Sequence, residues 1–224
     1  DYKGVPYRIK NLLPGQHIRF AKSVAPRSTV PILRAGDTYI QESSAIIDWL
    51  EANYPSQPLM PSDPAEQAEV KRWEQYADKD LGPHVRRWCY YSLLEHPKIV
   101  IPLLTSGSPL LLKPVMRLVF PKVRDVMKKA MKIYPEPSLQ SADLLDKALQ
   151  HLETSRSGND YLVGNQFTKA DLAVVAMLAP LFMPPEYGVN WGTQIPDPLN
   201  QWLQDRKPQL AWAESIYNNK RRKL

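Results

Sequence analysis

Two short apolar runs split by a tight-turn dipeptide and followed by an amphipathic helix constrain this chain more than any other feature. From Ser28 to Tyr54 it reads Ser-Thr-Val-Pro-Ile-Leu-Arg-Ala-Gly-Asp-Thr-Tyr-Ile-Gln-Glu-Ser-Ser-Ala-Ile-Ile-Asp-Trp-Leu-Glu-Ala-Asn-Tyr. Ile32 and Leu33 read as a short strand, Gly36-Asp37 as a turn, and Thr38 to Gln41 as a second β-rich run. Ser43 or Ser44 is placed to cap a helix whose apolar residues Ile46, Ile47, Leu50 and Tyr54 recur at three- and four-residue spacing. Pro31 opens the first strand, and the acid-hydroxyl pair Glu42-Ser43 stands where the second strand passes into the helix. Taken singly, Val30-Pro31 is explained as a strand edge and Glu42-Ser43-Ser44 as a helix cap.

The remaining pattern divides the chain. Residues 1–55 form one unit, the Pro/Ser-rich stretch 56–64 a linker, and residues 65–224 an all-helical unit. In the first unit, Gly4 ends a helical turn and Tyr7 to Leu12 reads as a strand. In the second, Val70, Trp73, Ala77, Leu81, Val85 and Trp88 keep helical spacing, as do Leu145, Ala148, Leu149 and Leu152. Thr168-x-x-Asp171 reads as a capping box, with Phe167 and Leu172 as its hydrophobic staple. Such a cap contributes about 1 kcal/mol and fixes where a buried helix begins.

Composition closes off several alternatives. The 224 residues are 43% hydrophobic and 23% charged, which describes a globular chain able to bury a core. The single cysteine, Cys89, excludes an intramolecular disulfide, fits a reducing, cytoplasmic setting, and sits in an aromatic helical stretch where packing is its role. The four histidines lack metal-ligand spacing, so no metal is expected. The apolar stretch Ile99–Phe120 is broken by Pro102, Gly107, Pro109 and Pro114 and is unsuited to spanning a bilayer. Lys113, Arg117, Lys122, Arg124, Lys128, Lys129 and Lys132 face only one acid, Asp125, between them. That pattern suits either an anionic membrane surface or the solvated face of an inserted helical hairpin. The run Lys220-Arg-Arg-Lys223 reads as a tail, and neither basic segment carries the fold signals of a nucleic-acid reader.

Val30-Pro31, the hairpin, Glu42-Ser43 and the helix after them, with Thr168-x-x-Asp171 downstream, resemble the cytosolic glutathione transferases. The resemblance implies a thioredoxin-like α/β N-terminal domain and an all-α helical-bundle C-terminal domain. It implies glutathione as co-substrate, a small electrophile as second substrate, and a homodimer. Pro31 would follow a cis peptide bond that turns the backbone of Val30 toward the cysteinyl unit of glutathione. Ser43 and the helix start would take the γ-glutamyl carboxylate, Glu42 the neighbouring ammonium, and Arg27 the glycyl carboxylate. Tyr76, His84 and Trp88 occupy the helix that lines the electrophile pocket in the family. The family's first strand and helix, and with them the thiol-activating Tyr, Ser or Cys, have no counterpart here, so the N-terminal domain reads as incomplete and the catalytic residue is unknown. The implied reactions are conjugation of glutathione to electrophiles or glutathione-dependent thiol exchange. Two other readings stand beside them: an isomerase or reductase like the membrane-associated prostaglandin synthases, and a non-catalytic scaffold.

Overall fold

The computed structural model describes residues 1–221 except 14, 110–111, 190 and 192–193; of the basic C-terminal run, residues 222 and 223 lie outside the described residues. After an irregular start comes helix α1 (Gln16–Val24). Strands β1 (Ile32–Ala35) and β2 (Thr38–Gln41) then form an antiparallel hairpin, with Ile32 opposite Gln41 and Ala35 opposite Thr38. Gly36 turns the corner at φ +60°, a conformation glycine adopts without a Cβ penalty. Helix α2 (Ser43–Asn53) follows directly.

Gly4 has positive φ and closes a turn through its N–H to the Asp1 carbonyl at 2.8 Å. One expectation for the first residues is corrected. Tyr7 to Leu12 is not a strand. A strand needs a ladder partner for its alternating N–H and C=O groups, and among the described residues only β1 and β2 pair. Tyr7 and Ile9 are accordingly exposed.

Lysine chemistry ties α2 to the chain beyond it. The Lys3 ammonium, 5% exposed, sits 2.6 Å from Glu51 and donates to the carbonyls of Tyr54, Ser56 and Gln57 just past the C-terminus of α2. It therefore satisfies and neutralises the carbonyl end of the helix. Glu51 also accepts the Leu59 N–H at 3.0 Å, and the Leu59 carbonyl takes the Lys169 N–H at 2.8 Å. The stretch between the two helical regions is thus held at both ends by named bonds.

Beyond it lie α3 (Pro64–Tyr76), capped by Asp63, and α4 (Gly82–Leu93), joined through a single π-helical turn at Ala77–Leu81. Then come α5 (Pro97–Leu104), α6 (Leu112–Met131), α7 (Pro135–Arg156), α8 (Lys169–Phe182) and α9 (Leu199–Lys220). Val70, Leu81, Leu145, Val174 and Leu178 are fully buried where α3, α4, α7, α8 and α9 meet. Gly82 lets the helices approach closely there: a Cβ would come within 2.7 Å of the Met177 sulfur and 3.2 Å of the Ala77 carbonyl, so the methionine would have to move. A second, smaller core joins Leu94, Val100 and Ile101 to Met116, Phe120 and Ile133.

The start of α8 is set by the capping box at Thr168 and Asp171. Asp171 is fully buried and accepts three bonds: from the Leu162 N–H at 2.8 Å, the Thr168 N–H at 2.8 Å and the Thr168 hydroxyl at 3.0 Å. Burial pushes its carboxyl up and these donors pull it back. Phe167 lies in the same core as Leu172, with its ring edge-on to Tyr2 at 4.9 Å. Removing Asp171 leaves buried donors without acceptors, so Asp171→Ala is expected to cost roughly 2–4 kcal/mol in denaturant unfolding. A loss below about 0.5 kcal/mol, the range of a surface change, would contradict the assignment.

Cys89 packs in the same core, 8% exposed, and burial pushes its thiol up to about 12. The native protein is expected to resist iodoacetamide at about pH 8 and to react once unfolded, because the thiolate is the reactive form. Stoichiometric labelling of the folded chain, read by mass spectrometry, would contradict this.

Candidate functional site

The passage from β2 into α2 is built differently from an ordinary helix start. The N-cap residue is Glu42, not Ser43 or Ser44, and no side chain caps the helix. The Glu42 carbonyl starts the helical ladder by accepting the Ile46 N–H at 3.0 Å. Ser44, which the sequence offers as a cap, instead donates its hydroxyl to Glu74 of α3 at 2.7 Å. Ser43 is exposed in the first turn, where the amide N–H groups lack intrahelical acceptors and carry the positive end of the helix.

Glu42 holds φ 79°, ψ 136°, outside even the small left-handed region open to ordinary residues. Such a backbone costs about 1–3 kcal/mol and persists only where its surroundings over-determine it. Here they do. The Gln41 amide donates to the carbonyls of Arg27 and Thr29 at 2.9 and 2.8 Å, and its oxygen takes the Arg27 N–H at 3.1 Å. Glu42 Oε1 accepts the Thr29 hydroxyl at 3.2 Å and faces the Arg27 guanidinium at 3.3 Å. The loop before β1 is laced to the end of β2, and Val30 lies on that loop, half exposed, ahead of a cis bond to Pro31.

The structure thus brings Arg27, Val30, Glu42 and Ser43 to one edge. Arg27, its side chain largely exposed, pairs with Glu42. Thr29 and Gln41 were not flagged by the sequence; each is an ordinary polar residue whose role appears only when the loop folds over the strand end.

A buried lysine anchors this edge from behind. Lys169, first residue of α8, is 3% exposed. Its ammonium lies 2.7 Å from Asp48 of α2 and 3.1 Å from Glu74 of α3, and it donates to the Ser44 carbonyl at 3.4 Å. Asp78, on the π-helical turn, faces the same group: burial raises its carboxyl, Glu74 and Glu42 raise it further, and Lys169 lowers it.

The aromatic residues of α3 and α4 are occupied elsewhere. Trp88 is 2% exposed and stacks on Tyr91 at 6.0 Å; Tyr76 sits edge-on to Trp73 and His151. His84 meets the Ser141 hydroxyl at 3.1 Å, with Arg87 on the same oxygen at 3.0 Å. Burial first and then Arg87 hold His84 below its ordinary range. Near Cys89 lies an apolar cavity of about 40 Å³ lined by Leu93, Leu103, Pro180 and Met183, room for a water but not for a substrate. Among the described residues no helix is long and apolar enough to cross a membrane.

Comparison with known proteins gives the family of the chain. The sequence pattern described as "Glutathione S-transferase, N-terminal domain" matches residues 1–58, and "Glutathione S-transferase, C-terminal domain" matches residues 118–205. Glutathione S-transferase U2 of Arabidopsis thaliana is 29% identical over 82 residues, 36% of each chain. Maleylpyruvate isomerase of Ralstonia sp is 34% identical over 86 residues, 37% of this chain and 41% of its own. The chain therefore spans well under half the length of these two relatives. In fold it resembles the beta-etherase LigF of Sphingobium sp. strain SYK-6, with a TM-score of 0.58 at 22% identity over 90% of this chain and 79% of that one. The hairpin and α2 are the small-sheet, thioredoxin-like part of that fold, and α3 to α9 its helical part. The N-terminal match over residues 1–58 and the C-terminal match over residues 118–205, in that order, show that the chain belongs to the glutathione S-transferase family.

Proposed function

We propose that the edge formed by Val30, Glu42 and Ser43 binds glutathione and that the protein acts as a glutathione-dependent transferase. The observation that carries this is Glu42: an exposed carboxylate on a strained backbone at the mouth of an uncapped helix, beside the half-exposed Val30. In this reading residues 1–55 form the glutathione-binding domain, 56–64 its linker and 65–224 the helical domain.

The chemistry follows from the groups present. The γ-glutamyl ammonium of glutathione replaces Arg27 at the Glu42 carboxylate, exchanging one cation for another. The adjoining carboxylate takes the Ser43 hydroxyl and the free N–H groups of the first turn of α2. The cysteinyl unit pairs with the Val30 backbone as an added strand. Arg27, released from Glu42, is left to meet the glycyl carboxylate. Three anchors on a tripeptide fix where its sulfur lies, which is the entropic part of the catalytic advantage. The bound thiolate then attacks an electrophilic carbon, or exchanges with a disulfide, and the sulfur is the nucleophile in both. None of the described residues is assigned to lower the thiol pKa. The 34% identity to a maleylpyruvate isomerase favours glutathione-dependent isomerisation as the second reading. Cytoplasmic location and homodimerisation complete the proposal.

Glu42→Gly separates binding from folding. Glycine adopts φ 79° freely, so the variant is expected to gain about 1 kcal/mol, or 2–4 °C in Tm. It is also expected to lose at least about tenfold in glutathione affinity, measured by calorimetry or by elution from immobilised glutathione, because a charged hydrogen bond is gone. Unchanged affinity overturns the site. A parent protein that never binds glutathione leaves the scaffold reading in its place.

A further inference from the structure

Helix α6 carries exposed apolar side chains beyond the face that it packs inward. Its inner face, Met116 and Phe120 with Val123, Met127 and Met131, packs on the smaller core with Leu94, Val100 and Ile101. A helix buried on one side is ordinarily polar on the other. Here Leu118 is 83% exposed, Val126 60%, Val115 52% and Val119 42%. Positions 115, 118, 119, 122, 126 and 129 fall on one stripe of a 3.6-residue helix, so these four side chains share a face with Lys122 and Lys129.

Charge decides what such a face meets. Lys113, Arg117, Lys122, Lys129 and Lys132 are exposed, and none lies within salt-bridge distance of an acid among the described residues. Arg124 and Lys128 are neutralised by Glu95, and Arg124 also by Asp125, the only acid on the helix. A second copy docking by two-fold symmetry would set these cations against themselves with one acid to offset them. A bilayer with anionic headgroups answers both demands. The valines and Leu118 enter the acyl boundary, while Lys122 and Lys129 lay their methylene stems along the apolar stripe and hold their ammonium groups at phosphate level. The chain's net charge of +6 adds to the attraction.

We infer that the outer face of α6 docks the protein on an anionic lipid surface. This goes beyond glutathione binding and does not depend on it. The helix lies on the membrane and does not cross it, since no described helix meets that requirement.

The test is co-sedimentation of the intact protein with phosphatidylcholine vesicles, with and without phosphatidylglycerol. Binding is expected only with phosphatidylglycerol, and it should fall as salt rises. Lys122→Gln with Lys129→Gln should weaken partitioning by about fivefold for each cation removed. Leu118→Asp, at an exposed position with circular dichroism confirming the fold, should abolish it. Equal binding to neutral vesicles, no binding to either, or indifference to these variants overturns the inference. Self-association that Leu118→Asp disrupts, without vesicle binding, assigns the face to a second copy and likewise overturns it.

Discussion

A buried ammonium needs opposite charge close by, and Lys169 finds it on two other helices. With 3% of its surface exposed, it reaches Asp48 on α2 and Glu74 on α3. Removing one partner of such a group costs several kcal/mol because the rest is left uncompensated in low dielectric. The effect on geometry matters more than the sum. Lys169 also binds the Ser44 carbonyl, and Glu74 takes the Ser44 hydroxyl, so the second residue of α2 is gripped from α8 and α3 together. Asp171 fixes α8 in turn, two residues along from Lys169. An uncapped helix start is thereby oriented by groups far away in the sequence. The strained Glu42 backbone directly before it persists because its neighbours on both sides are held.

Legibility in the sequence follows the range of the interaction. Gly36-Asp37 between two apolar runs specifies the hairpin by local rules, and Thr168-x-x-Asp171 specifies the head of α8 by a bond spanning three residues. Ile46, Ile47 and Leu50 place α2 by spacing alone. The serines were misleading: both have the chemistry of a cap, but the chain reaches α2 through Glu42 and spends Ser44 on α3. Lys169 looks like an exposed first-turn lysine, and only contacts with residues about 95 to 125 positions away show otherwise. The Tyr7–Leu12 run shows the opposite limit, where residues suited to a strand pair with no other strand among the described residues.

The two parts of the chain differ in burial: α2 has no fully buried residue, whereas α8 has eight. The helical part supplies a close-packed body, with Gly82 admitting Met177 and Cys89 sealed inside as an inert hydrophobe. The hairpin and α2 bring an exposed carboxylate, Glu42, to an uncapped helix N-terminus, and the proposed binding edge rests on these groups. Folds of this type host many reactions, and the choice among them rests on groups near the sulfur, not on the scaffold. Helix α6 stands apart from both, packed inward by methionine and phenylalanine and outward-facing with valine, leucine and lysine.

Amide hydrogen exchange on Lys169→Met tests the dependence of the α2 head on its buried anchor most directly. Methionine keeps most of the apolar stem of lysine and removes the charge and its hydrogen-bond donors. Protection is expected to fall at Ile46 and Ile47 in the first turns of α2, while the amides of Leu162 and Thr168, held by Asp171, keep theirs. Unchanged protection along α2 would contradict the account, because the strand-to-helix edge would then be holding itself.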